Sequence, residues 1–300
     1  MGYRSRLNKS FEGALRLPLT ECSRYVMISD CHRGTGASND NFIKNRNLYY
    51  AALQHYYQNG YTYIELGDGD ELWENRNIRQ IIEAHDRVFR LLSCFHQSGR
   101  LYMLYGNHDM IKKNRKYITK QCNTYQCPEG NCGRKECLCC PVSPAMRFSE
   151  GLILENASDE KIPDLYLTHG HQADALNSVF WRVACFLVRY FWEPLERFGV
   201  LDPTSAAKNY SVKKKTERRL QHWAKTSEHV LIAGHTHRPV LSEESRFYYN
   251  CGSCVHPYGI TCLEIEQLEI SLVKWSIATR PDRSLYVVRE ILAGPVKLGR

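Results

Sequence analysis

Five apolar runs in this chain end alike, in glycine, histidine and acidic residues, and that repetition limits the folds open to it. "RYVMISD" (24–30) leads into Asp30-Cys31-His32, "YTYIEL" (61–66) into "GDGDE" (67–71), and "RLYMLY" (100–105) into "GNHD" (106–109). "DLYLTHGH" (164–171) and "HVLIAGHTH" (229–237) each carry a histidine pair of their own. Short apolar runs closed by glycine or polar residues read as buried strands. Helical periodicity fills the gaps between the first three, in "NFIKNRNLYYAALQHYYQNG" (41–60) and from about Asn77 to Gln97. Strand–helix alternation at this spacing predicts a layered α/β sheet with right-handed crossovers. In such sheets ligands bind outside the carboxyl ends of the strands, which is where these polar clusters fall.

The pattern is interrupted twice. Residues 111–145 hold Cys, Pro, Gly, Lys and Arg without periodicity and read as an inserted loop. Residues 174–226 read as a helical insertion rich in aromatic and basic side chains. After it, "RFYYNCGS", "ITCLEIE" and "LEISLVKW" return to strand. One domain over 1–300 with two insertions is expected, and 43% hydrophobic residues are enough for its core. The net charge of +8 favours phosphate-bearing partners and does not by itself indicate nucleic acid. The N-terminal residues lack a secretory h-region. The most apolar window, "VFWRVACFLVRYFW" (179–192), is too short to span a bilayer and is broken by Arg182 and Arg189. A soluble cytoplasmic chain is expected, with peripheral contact at the inner membrane face if the helical insertion meets lipid.

Without a secretory signal, thirteen cysteines point to free thiols or metal rather than a disulfide framework. Cys122, Cys127, Cys132, Cys137, Cys139 and Cys140 share one segment. Their spacing is not the C-x2-C pair of a zinc ribbon. They are carried forward as a candidate structural Zn²⁺ site, with a loop of free thiols as the alternative.

Taken singly, each strand-end cluster could be a solvated loop. Together and in order, Asp30-x-His32, Gly67-Asp68-x-x-Glu71, Gly106-Asn107-His108-Asp109, His169 and Gly234-His235-x-His237 resemble the calcineurin-like metallophosphoesterase superfamily. The resemblance implies a four-layer α/β/β/α sandwich with a two-metal centre between its sheets. It assigns Asp30, His32, Asp68 and His237 to one metal, and Asp68, Asn107, His169 and His235 to the other. A shell of His, Asp and Asn suits Mn²⁺ first, and also Fe or Zn²⁺. Two such cations can hold the attacking and leaving oxygens of an in-line displacement. His108 is then the expected general acid, because histidine titrates near neutrality. Asp109 is expected to orient its ring. Arg33 and Arg238 are expected to steady phosphate oxygens through their forked donors, with surface ion pairing as the alternative. Asn250, Gly252 and Ser253, in "NCGS", resemble a segment that follows the last histidines in the superfamily and would have a structural role.

"GDGDELW", "GHTHRP" and the helical stretch after His169 most resemble bacterial UDP-2,3-diacylglucosamine pyrophosphohydrolases, although His171 stands where those enzymes have aspartate. The implied function is hydrolysis of a phosphodiester or pyrophosphate bond in an amphiphilic or nucleotide-linked substrate, small-molecule or lipid-linked. Residues 174–226 would form the lid, through Phe180, Trp181, Phe186, Leu187, Phe191 and Trp192 beside Lys213, Lys214, Lys215, Arg218 and Arg219. Two alternatives stay open: a broad phosphodiesterase of small soluble substrates, and a non-catalytic interaction scaffold on the same fold.

Overall fold

A computed structural model describes residues 1–37, 39–121, 146–156, 162–192 (the side chains of 191 and 192 excepted), 210–242 and 246–298. In chain order the elements are α1 (Tyr3–Phe11), β1 (Leu15–Pro18), β2 (Arg24–Ile28), α2 (Arg46–Gln58), β3 (Thr62–Leu66), α3 (Ile78–Ala84), α4 (Asp86–Gln97) and β4 (Leu101–Leu104). They continue with α5 (Arg115–Gln121), β5 (Phe148–Ser149), β6 (Gly151–Glu155), β7 (Leu165–Thr168), α6 (Ala175–Ser178) and α7 (Trp181–Leu187). Last come α8 (Tyr210–Ser227), β8 (Val230–Ala233), β9 (Tyr248–Asn250), β10 (Gly259–Glu266), β11 (Glu269–Thr279) and β12 (Leu285–Lys297).

The strands form two sheets, β12-β11-β10-β2-β3-β4-β5 and β1-β6-β7-β8-β9. β2, β3 and β4 run parallel, and so do β7, β8 and β9. The five clusters lie at the carboxyl ends of β2, β3, β4, β7 and β8. Alternation along β2 shows how the layers are set. Val26 and Ile28 pack under α2 and α4, while Tyr25 and Met27 turn to the other sheet, against Leu152, Leu165 and Ile232. On the far side of the second sheet, Leu7 of α1 and Leu220, Trp223 and Ala224 of α8 cover Leu231 and Ala233. Helix, sheet, sheet, helix: the sandwich expected from the sequence is the architecture observed.

α4 repeats the apolar stripe of an outer helix, burying Val88, Leu91, Leu92 and Phe95. The helix expected from about Asn77 to Gln97 is two helices. They break at His85 (φ −118°, ψ 33°), whose buried Nε2 lies 3.0 Å from Asp40 Oδ2 and 3.1 Å from the Gly34 carbonyl. A side chain tied to the loop after β2 takes the helix apart at that residue. The segment expected to lack structure from 111 onward begins with a 3-10 turn, Met110–Lys113, and α5. All six clustered cysteines lie outside the described residues. No described helix is long and apolar enough to cross a membrane.

Candidate metal centre

At the sheet ends the backbone leaves its ordinary range. Among the described residues ten non-glycine residues have positive φ, and five of them are Asp30 (54°), His32 (48°), Asp68 (50°), His235 (67°) and His237 (55°). Backbone of this kind is costly for residues with a Cβ, and it collects where a site needs it. Gly106 is needed for a different reason: a Cβ there would overlap Asp68 Oδ1. That close approach lets the loop after β4 lie on the loop after β3, with the His108 N–H donating to Asp68 Oδ1 at 2.8 Å.

The strand ends bring the sequence candidates into two groups. Asp30, His32 and His237 each offer an atom within 4.8 Å of the others, and so do Asp68, His169 and His235. His237 Nε2 lies 2.9 Å from Asp30 Oδ1, and His169 Nε2 lies 3.1 Å from Asp68 Oδ2. His32 Nε2 stands 3.8 Å from a carboxylate oxygen of each aspartate, between the groups. His235 and His237, separated by one residue, thus belong to different groups.

Whether these residues suit cations is tested by their unpaired atoms. Buried polar atoms are nearly always hydrogen-bonded. Here His32 Nε2, Asn107 Oδ1 and His235 Nε2 are buried without such a bond, and Asp30 Oδ1 and His169 Nε2 have only the poorly directed contacts to His237 and Asp68. Two of these rings are held by their other nitrogen: His169 Nδ1 is 2.7 Å from the Leu66 carbonyl, and His32 Nδ1 is 2.8 Å from Glu71 Oε2. That is the usual way a protein fixes an imidazole as a metal ligand. The donor set fits divalent cations.

The electrostatics agree. Burial lowers the proton affinity of His169, but Asp68 and Asp30 reverse this and push it up to about 9. Burial opposes ionisation of Asp30, and His237 and His169 more than compensate, holding it well below the usual carboxylate range. His235 goes the other way: burial, then His169, bring it down to about 4, which keeps its ring neutral near pH 7. The carboxylates of this cavity call for positive charge.

A third group joins the first, through His32, to the expected acid. His32, Glu71 and His108 converge, with Glu71 2.8 Å from Nδ1 of both rings. Burial raises the pKa of Glu71, and the two histidines, His108 foremost, bring it to about 2. Trp73 stacks on His108 at 4.1 Å and 23°. Glu71 and Trp73 follow the "GD" of β3, and neither had been assigned a role from sequence. The acidic position of G-D-x-x-D/E was the available signal for Glu71.

Two sequence expectations need correction. Asp109 does not orient His108; its carboxylate accepts from the N–H groups of Gly69 (3.2 Å) and Gly106 (2.7 Å) and from Lys112 Nζ (2.7 Å). Glu71 has the orienting place instead. Arg33 is not free to hold phosphate. It is wholly buried, with its fork on both oxygens of Glu65 (2.7 and 2.9 Å) and its Nε on Asp70 (2.7 Å). Those carboxylates raise its already high proton affinity despite burial. Arg238 lies at the rim, with its side chain 61% exposed and Nη1 3.2 Å from Glu217. Asn250 ties β8 to β9 by donating to the Gly234 carbonyl at 2.8 Å.

No protein-family model and no curated protein matches this chain. Among solved structures it is similar to Vps29 of Chaetomium thermophilum, with a TM-score of 0.39 and 10% identity, over 91% of this chain and 97% of that one.

Proposed function

We propose that this protein is a dimetal-dependent phosphoester hydrolase acting on a phosphodiester or pyrophosphate bond of an amphiphilic substrate. The observation that carries the reading is the set of buried ligand atoms without a well-formed hydrogen bond at Asp30, His32, Asn107, His169 and His235, which come from the ends of four strands, β2, β4, β7 and β8. Divalent cations bound there, Mn²⁺ foremost, would supply Lewis-acid polarisation of a phosphoryl oxygen and bring the pKa of water towards neutrality.

The remaining roles belong to the chain. Glu71 engages His108 Nδ1, so the transferable proton is on Nε2, where it is given to the leaving oxygen. Glu71 and Asp68 favour the protonated ring against the opposing effect of burial. Trp73 holds the ring by stacking and keeps water from one of its faces.

The amphiphilic substrate is supported by the helical insertion. Part of α7 is committed to the core: its Ala184 and Cys185, with Val188 just after it, pack on Trp73. Arg189 fastens the helix by donating to the Trp73 and Leu72 carbonyls, at 2.7 and 2.9 Å. In and around α7, Val179, Phe180, Val183 and Tyr190 are about half exposed or more. Across the site, Lys213 of α8 interacts with the charges of Glu217, Arg238 and Asp30, although burial is the main influence lowering its pKa. Packing and an exposed apolar surface therefore occur in one segment, residues 179–190, and the basic helix α8 belongs to the same insertion. That combination suits an acyl-bearing phosphate.

Asp68→Asn tests the centre. The wild-type chain, purified without chelator, should carry about two transition-metal ions in this site, and the variant should lose most of them. The difference between the two proteins isolates the site, because the cysteine segment is the same in both. Hydrolysis of an aryl phosphodiester should fall with the metal. Full occupancy in the variant, or no hydrolysis by a wild-type chain reloaded with Mn²⁺, Fe²⁺ or Zn²⁺, would overturn the reading.

A further inference from the structure

Beside the metal centre lies a cleft of about 550 Å³, bounded by α1, the turn at Met110–Lys113 and the start of α7. Its volume is within the range of small-ligand sites. His171 forms part of its wall, with its ring 5.6 Å from that of His169. One side chain thus separates the cleft from the centre. His171 Nδ1 is buried there without a hydrogen bond.

The charge of the cleft is one-sided. Arg6, Lys9, Lys113 and Arg182 line it against one carboxylate, Glu150. That carboxylate is partly engaged, accepting from Tyr105 Oη at 2.8 Å and lying 3.5 Å from Lys113 Nζ. Arg6 donates to two neutral carbonyls, those of Gln172 and Met1, each at 2.8 Å, so these bonds leave its charge uncompensated. Burial and nearby Arg219 lower its proton affinity, although Asp174 partly offsets them. The cations come from three separate elements, α1, the turn and α7, and converge only through the fold. Trp181 adds an apolar surface on the same wall.

We propose that this cleft binds a second phosphate group of the substrate, carried on the part remote from the bond that is cut. The inference rests on the hydrolase reading and narrows it to substrates with two phosphate centres and an apolar portion between or beside them. Arg182 and Lys9, both exposed, supply charge-assisted hydrogen bonds to the remote phosphate. Trp181 takes the adjoining apolar part.

The test compares two aryl phosphodiesters on the full-length, metal-loaded chain. They differ only in whether the alkyl arm ends in a phosphate or a hydroxyl. The wild-type protein should show a KM roughly tenfold lower for the phosphate-ended diester, the scale of one charge-assisted hydrogen bond. The preference should shrink with added salt. In Lys9→Gln/Arg182→Gln it should largely vanish, with circular dichroism unchanged. Equal KM values in the wild type, or a preference that survives in the double variant, would overturn the proposal. If neither diester is hydrolysed, the hydrolase reading fails and the cleft is judged by calorimetry instead. A phosphate-ended alkyl diester without the aryl group should bind the wild type and bind the double variant roughly tenfold more weakly. Equal affinity, or no binding to either, would also overturn it.

Discussion

His108→Ala should keep its metals and lose roughly 10²–10⁴-fold in kcat, the size of a general-acid effect. Metal retention is expected because the contact that His108 makes to Asp68 is through its backbone N–H, which alanine also has. The loss should be much smaller for an aryl ester with an acidic leaving group, since such a group departs without a proton. Equal losses on good and poor leaving groups would mean that His108 positions phosphate instead. Glu71→Gln is the companion variant. A general acid must be protonated, so activity falls as pH rises through its pKa. Glu71 is the foremost charge raising that pKa against burial, and its removal should move the alkaline limb of the rate profile to lower pH. Because Glu71 also holds His32 Nδ1, metal occupancy has to be measured on the same sample. An unmoved limb at full occupancy would remove Glu71 from the acid's control.

How far the site was legible depended on what each residue needs around it. The candidate ligand residues stood out because each lies at the end of a strand, and the end of a strand can be read from apolar runs and glycine. Roles that depend on side-chain direction were not visible. Asp109 is adjacent to His108 in sequence, yet its carboxylate bonds the loops beneath, while Glu71 reaches the ring from another strand end. Arg33 looked like a phosphate clamp because it follows His32, a candidate ligand. The counter-signal was Glu65, a lone carboxylate inside the apolar run "YTYIEL", which cannot be buried without a cation. The fold was legible in its β2–β3–β4 core, where pattern and register agree. It was less so at the edges. β12 is a strand with most residues exposed, paired only with β11 among the described strands, so no alternation of burial marks it. α1 was missed because its covering partner, α8, is more than two hundred residues away in sequence.

Lys112→Met should destabilise the protein by about 3–5 kcal/mol, the cost of removing one partner from a buried ion pair. Lys112 is wholly buried, 2.6 Å from Asp70 and 2.7 Å from Asp109, and Asp70 is shared with Arg33, which in turn holds Glu65. Three carboxylates and two cations thus form one chain through the loops after β2, β3 and β4. Gly69 lies within it, and a Cβ there would overlap Glu65 Oε1. Methionine keeps most of the volume and the contact with Phe148, whose ring is 4.8 Å from Nζ, so the loss reports charge rather than a cavity. The deficit should depend on pH, and its sign follows from Asp109. Burial already raises the pKa of that carboxyl, and Lys112 is the foremost charge holding it down. In the variant the folded-state pKa rises further above the unfolded value. A protonated Asp109 needs no cation, so the deficit should be smaller near pH 5 and grow as pH rises through the new pKa. Urea unfolding of the chelated proteins from about pH 5 to about pH 8 measures it, through the midpoint at constant slope. A variant within about 1 kcal/mol of wild type across that range would show that the loops beneath the metal ligands stand without this network. A large loss in stability together with weaker metal binding would show that the buried charges fix the ligands' loops in place, a role separate from that of the ligands themselves.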